Sequence, residues 1–386
     1  MRASGRALDY RRSAIRVLFD AAAADPAAVR LEVGEPSFPT PAHIIEHAAE
    51  AARQGHTGYG PNGGLLSLRE LLVDKLDRVD RIEASVDEIV VTPGGMNALF
   101  GAFTILLEPG DEVLLPTPGF PNMDEMVRLL GGVPVFYHLR PSQGFLPDFD
   151  ELAALVTART RVVFSNSPSN PTGRVYDEGV VRDLVAFADR HDLWLLSDEV
   201  YDELVLDPTS THVPAAWFDE SGRVISVFSF SKVYAMTGWR VGYAVARGDI
   251  PELMRSTQEP QVSCPSTISQ KAAEAALTGP REPITAMRDA YAERASLAVA
   301  TARAAGLQAY APQGTIYMLL DVSAFGADGG LDFALDLLRE QRVSIAPGSV
   351  FGPGGEGMVR ISLAAAPCTI EAGINRIAAH LQRGSG

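Results

Sequence analysis

Residues 229–243 read S-F-S-K-V-Y-A-M-T-G-W-R-V-G-Y. One lysine, Lys232, stands between two short apolar runs, with serine hydroxyls just before it and Arg240 eight residues after it. Its flanks are Phe230, Val233, Tyr234, Met236 and Trp239, whereas a solvated lysine would usually sit among other charges. These neighbours predict a dry pocket. Desolvation disfavours an ammonium ion and makes a lysine so placed a usable nucleophile toward a carbonyl.

Other groups suited to chemistry lie on either side. In L-W-L-L-S-D-E-V-Y, Asp198 stands at the C-terminal end of the apolar run and Tyr201 follows three residues on. Burying such an acid is costly without a cationic partner, so it either faces a bound cation or caps the next turn. Asn170 is fixed between Pro168 and Pro171, which stop regular structure. Gly94, Gly95 and Met96 join a β-branched strand to a helix, and free N–H groups at a helix start attract phosphate. Arg360, in G-M-V-R-I-S, carries a guanidinium fork that fits a carboxylate bidentately. Gly34 lies in L-E-V-G-E-P-S-F-P-T, Tyr59 in the glycine-dense G-H-T-G-Y-G-P-N-G-G and Phe120 in P-T-P-G-F-P-N-M.

In their order and separations, S-F-S-K, G-W-R-V-G, N-P-T-G and D-E-V-Y resemble a known family. It is the pyridoxal-phosphate enzymes of fold type I, and within them the class I/II aminotransferases of the aspartate aminotransferase type. The resemblance implies pyridoxal 5′-phosphate as cofactor and ping-pong transfer of an amino group between an L-amino acid and a 2-oxo acid. Lys232 would hold the cofactor covalently and, once freed, move the α-proton of the substrate. Asp198 would keep the pyridine nitrogen protonated, with Asn170 and Tyr201 bonded to the ring oxygen. Gly94, Gly95, Met96, Ser229 and Arg240 would bind the phosphate, joined by Tyr59 from the other subunit of a homodimer whose active sites lie at the interface. Phe120 would stack on the ring where relatives carry Trp or Tyr, without their N–H or hydroxyl. Gly34, Asn170 and Arg360 would bind the substrate.

The chain departs from the family pattern at Ser167, where relatives often show Asn, and at the Thr315–Ile316 pair, where G-A-F-Y is usual. Phe120 and that pair point to a pocket of apolar character. The sequence fixes neither donor nor acceptor. The same motifs serve a second reading, a pyridoxal-phosphate-dependent lyase, oxidase or cyclase acting through the same carbanion. A third, a non-catalytic binding protein of the same fold, sits badly with an intact Lys232 and its partners.

The elements that position these groups are legible as alternating strands and helices. They predict an α/β fold: a large domain with a mostly parallel seven-stranded sheet covered by helices, and a smaller α+β domain. The expected division is an N-terminal segment 1–45 packing with the small domain, a cofactor-binding domain 46–285 and a small domain 286–386. Thr40 should cap a helix that begins at Pro41, with an apolar stripe of Ile44, Ile45, Ala48, Ala49 and Ala52. The chain's 386 residues carry a formal charge of −15, which argues against a nucleic-acid partner. No apolar run suits a membrane span or secretory signal, so the expected location is the cytoplasm. The cysteines, Cys264 and Cys368, are too isolated for a disulfide framework or a metal cluster. His43 and His47 read as a helix face rather than as ligands.

Overall fold

A computed structural model describes residues 13–384. Residues 1–12, part of the expected N-terminal segment, lie outside the described residues. The helix Ala14–Ala23 leads to a short strand β1 (Val29–Arg30) and then to the helices Ala42–Arg53 and Leu66–Lys75. The main sheet comprises β2 (Ile89–Thr92), β3 (Glu112–Thr117), β4 (Val133–His138), β5 (Thr160–Asn166), β6 (Trp194–Asp198), β7 (Val224–Ser229) and β8 (Gly242–Val245). Its seven strands lie in the order β2-β8-β7-β6-β5-β3-β4. β8 is antiparallel to both β2 and β7, and every other pair in the sheet is parallel.

Parallel strands covered on both faces need apolar side chains on both, which is why R-V-V-F reads as a run and not as an alternation. In β5, Val162 and Phe164 pack on one face with Leu99 and Phe103 of the helix Gly95–Leu106. Val163, between them, packs on the other with Leu184 and Phe187 of the helix Glu178–Arg190.

The helices Ile250–Val262, Thr267–Thr278 and the long Glu282–Ala304 follow. The chain then builds a four-stranded sheet from β9 (Gln308–Tyr310), β10 (Tyr317–Asp321), β12 (Ala346–Pro347) and β13 (Met358–Ser362). β1 pairs in parallel with β11 (Val343–Ser344), tying residues near the start of the chain to this later region.

Two local expectations are corrected. The second helix begins at Ala42 with Pro41 as its cap residue, and Thr40 makes no capping bond. Its hydroxyl instead donates to the Ala235 carbonyl at 2.6 Å and accepts from Trp239 Nε1 at 3.1 Å, fastening this segment to the stretch after Lys232. The same helix buries Ile44, Ala48 and Ala51, while Ile45 is 47% exposed. Steps of four and three residues keep one helix face, whereas Ile45 is rotated off it.

Candidate active site

A cavity of about 570 Å³ opens where β5, β6 and β7 end. Asn166, Asp198 and Ser229, the last residues of these strands, all line it. The C-terminal ends of parallel strands are where open α/β sheets place ligands.

Ser229 turns the chain from β7 into the short helix Phe230–Val233, its hydroxyl accepting from the Ser231 amide at 3.1 Å. The apolar flanks of Lys232 do not form the pocket, contrary to the sequence expectation. Phe230, Val233, Tyr234 and Met236 point into the core, and Ser229, Ser231, Thr237 and Gly238 accompany Lys232 on the cavity side. Lys232 is half-buried, and its Nζ donates to the carbonyl of Gly34 across the cavity. The chain has three lysines. Lys75 is held between Asp80 and Asp202, and Lys271 is paired with Glu274 at 2.9 Å. Among the described residues, Lys232 alone of the three has no acid partner.

Asp198 is buried, and its carboxylate accepts only a long bond, 3.4 Å, from the Val200 amide. Burial pushes its carboxyl up to about 7, with the Val200 amide and the charge of Lys232 pulling down and Glu199 adding to the rise. Of the two readings of this residue, the cap is weak, and the acid lacks a bonded cation. Asn166 positions it from behind: its side-chain amide donates to the Asp198 carbonyl at 2.9 Å and accepts from the Asn170 amide at 2.7 Å. The sequence reading passed over Asn166, although it directly precedes the S-P-S-N-P-T-G loop.

At another wall the helix Gly95–Leu106 begins, its first residues Gly95 and Met96 lining the space, preceded by Gly94 at φ +82°. A Cβ on Gly94 would stand 2.5 Å from Nη2 of Arg240, so only glycine lets the guanidinium lie there. Arg240 Nη1 donates to the Thr237 carbonyl at 2.7 Å. Gly95, Met96 and Phe120 line the cavity with Ser229 and Arg240, whereas Gly94 supports Arg240 from outside the lining. Tyr59 is not brought into this cavity. It is 93% exposed on its loop.

Arg360, on β13, is buried and donates to Asn170 Oδ1 at 3.0 Å and to the Glu32 carbonyl at 2.8 Å. Its Nε has no partner. Beneath it lies Tyr317, whose ring centroid is 4.0 Å from the guanidinium carbon and whose hydroxyl accepts from Tyr201 at 3.3 Å. A Cβ on Gly34 would collide with that hydroxyl. Burial raises the Tyr317 phenol, but the charges of Lys232 and Arg360 and the bond from Tyr201 outweigh it and hold the group below its ordinary value. Burial lifts Tyr201 well above its own. Tyr317 sits beside the Thr315–Ile316 pair singled out by sequence but was not itself recognised there.

Solved structures with this architecture include "Pyrococcus protein-A1", at TM-score 0.94 and 39% identity, covering 98% of each chain. An aspartate aminotransferase from Thermus thermophilus with maleate matches at TM-score 0.93 and 35% identity, covering 98% of this chain and 100% of that one. The fold is therefore the fold-type I architecture, as the sequence leads one to expect. Among curated relatives, the aspartate aminotransferase of Pyrococcus abyssi is 39% identical over 368 residues, 95% of this chain and 94% of its own. The family "Aminotransferase class I and II" matches residues 26–377, and the chain belongs to it. It is an enzyme that transfers amino groups, and the family depends on pyridoxal phosphate. The lyase, oxidase and cyclase reading is not favoured by these matches.

Proposed function

We propose that this chain moves the amino group of an L-amino acid to a 2-oxo acid with pyridoxal 5′-phosphate held in the cavity at the ends of β5, β6 and β7. The observation that carries the reading is Lys232, a lysine with no bonded acid, in the same cavity as a buried acid with no bonded cation. The cavity fits the group: Ser229, Arg240 and the amides opening the helix Gly95–Leu106 suit a phosphate, and Asp198 suits a protonated ring nitrogen. Lys232 would carry it covalently, Phe120 would lie on its ring, and Asn170 and Tyr201 would bond its ring oxygen. The cofactor supplies the electron sink on which loss of the α-proton depends.

The chain's own residues supply position and charge. Arg360 and Gly34 hold the substrate carboxylate, and Asn170, bonded to Arg360, keeps the fork oriented. The amine of Lys232, when not holding the cofactor, would take and move the α-proton of the substrate. Catalytic roles thus fall to Lys232, Asp198 and Tyr201.

The active unit in this reading is a homodimer in which Tyr59 bonds the phosphate of the partner's site, consistent with its 93% exposure in one copy. The domain division at about residues 45 and 285 belongs to the same reading, with β1–β11 pairing in its favour. Among the described residues no helix is long and apolar enough to cross a membrane. A cytoplasmic setting is part of the proposal.

The test is a panel of amino donors with the purified holoenzyme, run with and without a 2-oxo acid acceptor and with the products identified. The proposal requires a new amino acid to form only when the acceptor is present. Release of ammonia or of a side-chain fragment, independent of acceptor, would overturn it.

A further inference from the structure

Glu32 is an acid in the wall of the substrate cavity that none of the roles above uses. Its side chain is fully buried, and it is among the residues lining the cavity. The segment is extended, so Arg30 and Glu32 share a face while Leu31 turns the other way into the core. Arg30 lies 4.3 Å from the ring centroid of Phe19, which lines the cavity as Glu32 does.

The geometry of the Arg30–Glu32 pair is lopsided. A guanidinium fork commonly engages both oxygens of a carboxylate. Here Nε and Nη2 of Arg30 both donate to Oε1, at 2.8 and 2.7 Å. Oε2 is buried and, among the described residues, has no hydrogen-bond partner. Leaving a buried acceptor unmet costs more than an average hydrogen bond contributes, so a donor placed there gains strongly. The backbone oxygen of this same residue accepts from Arg360 at 2.8 Å, and the charge of the Glu32 carboxylate acts on that guanidinium, so the acid lies near the group that holds the substrate carboxylate.

Resting on the aminotransferase reading of this cavity, we propose that Glu32 selects the substrate side chain, accepting a terminal hydrogen-bond donor and disfavouring a second carboxylate. An amide N–H and an ammonium share the required chemistry. The rival reader of side chains is Arg16, which also lines the cavity and would favour an acid. It already has Asp20 at 3.6 Å, and its side chain is 62% exposed, which screens its charge.

The test compares glutamine, ornithine, glutamate and norvaline as amino donors to the holoenzyme. Glutamine and glutamate have nearly the same shape and differ in whether the side chain ends in a donor. At least one of glutamine and ornithine is expected to exceed both glutamate and norvaline in kcat/KM by about tenfold or more, the amide and ammonium arms telling the two donors apart. In Glu32→Gln that preference should shrink by about tenfold. Binding of the same amino acids to cofactor-loaded Lys232→Ala protein, by calorimetry, should give the same ranking without turnover. A preference for glutamate, no discrimination, or a preference that survives Glu32→Gln would overturn the proposal. Should Glu32→Gln fail to fold, the rankings with Glu32 intact decide. If no donor supports transfer, the aminotransferase reading fails, and the binding ranking still judges Glu32.

Discussion

Arg360 on β13 donates to Oδ1 of Asn170 at 3.0 Å, although the two are 190 residues apart. The residue proposed to grip the substrate carboxylate is therefore steered by a residue proposed to touch the cofactor ring. Replacing Arg360 by Lys keeps the charge and removes the fork. The expected result is a fall in kcat/KM for amino donors of roughly ten- to a hundredfold, mostly through KM, with the cofactor absorbance unchanged. Steady-state kinetics beside the absorption spectrum checks this.

Asp198 gives a pH signature in the cofactor-free protein. Burial raises its carboxyl from 3.8 to about 7, so across that window the folded state keeps a proton that the unfolded chain releases. Stability from this group is complete below about pH 4 and is lost as the pH rises toward 7, at up to about 1.4 kcal/mol per pH unit. Asp198→Asn does not ionise. Its stability relative to the cofactor-free wild type should therefore improve from pH 4 to 7 in urea melts. Its cofactor affinity should fall by roughly a hundredfold, because the ring cation loses its partner.

Tyr317 should ionise below the ordinary tyrosine value, since Lys232 and Arg360 together outweigh its burial. An ultraviolet titration of the cofactor-free protein should show one such phenol. Tyr317→Phe should remove it and leave the Tyr201 hydroxyl without its 3.3 Å acceptor. The associated loss of stability is about 1–3 kcal/mol, measured by urea unfolding.

Behind the Lys232 segment, Lys75 is buried and bonded to Asp80 at 2.7 Å and to Asp202. Lys75→Met would strand two acids in the interior. The expected cost is about 3–5 kcal/mol by chemical unfolding, far above what the exposed Arg53–Glu50 pair contributes.

Much of the fold and site is legible in the sequence because apolar runs, glycines and prolines act locally. The run ending in Asp198 predicts a strand with an acid at its tip, and it is found; the S-F-S-K stretch reads as a loop, whereas Lys232 stands in the short helix Phe230–Val233. Local reading fails where the partner is distant in sequence. Thr40 has the residue type of a cap but is captured by Ala235, 195 residues away. The flanks of Lys232 read as a pocket wall because sequence shows that they are apolar but not which way they face. Tyr317, Asn166 and Glu32 matter through contacts across strand ends and between sheets, which no spacing encodes.

Attachment of the cofactor at Lys232 is open to direct measurement. Borohydride reduction of the holoenzyme, digestion and mass spectrometry locate that attachment, and with only three lysines in the chain the result is unambiguous. The account predicts the added mass of a reduced phosphopyridoxyl group on the peptide containing Lys232. Its appearance on Lys75 or Lys271, or on no lysine of a protein incubated with excess cofactor, would contradict it.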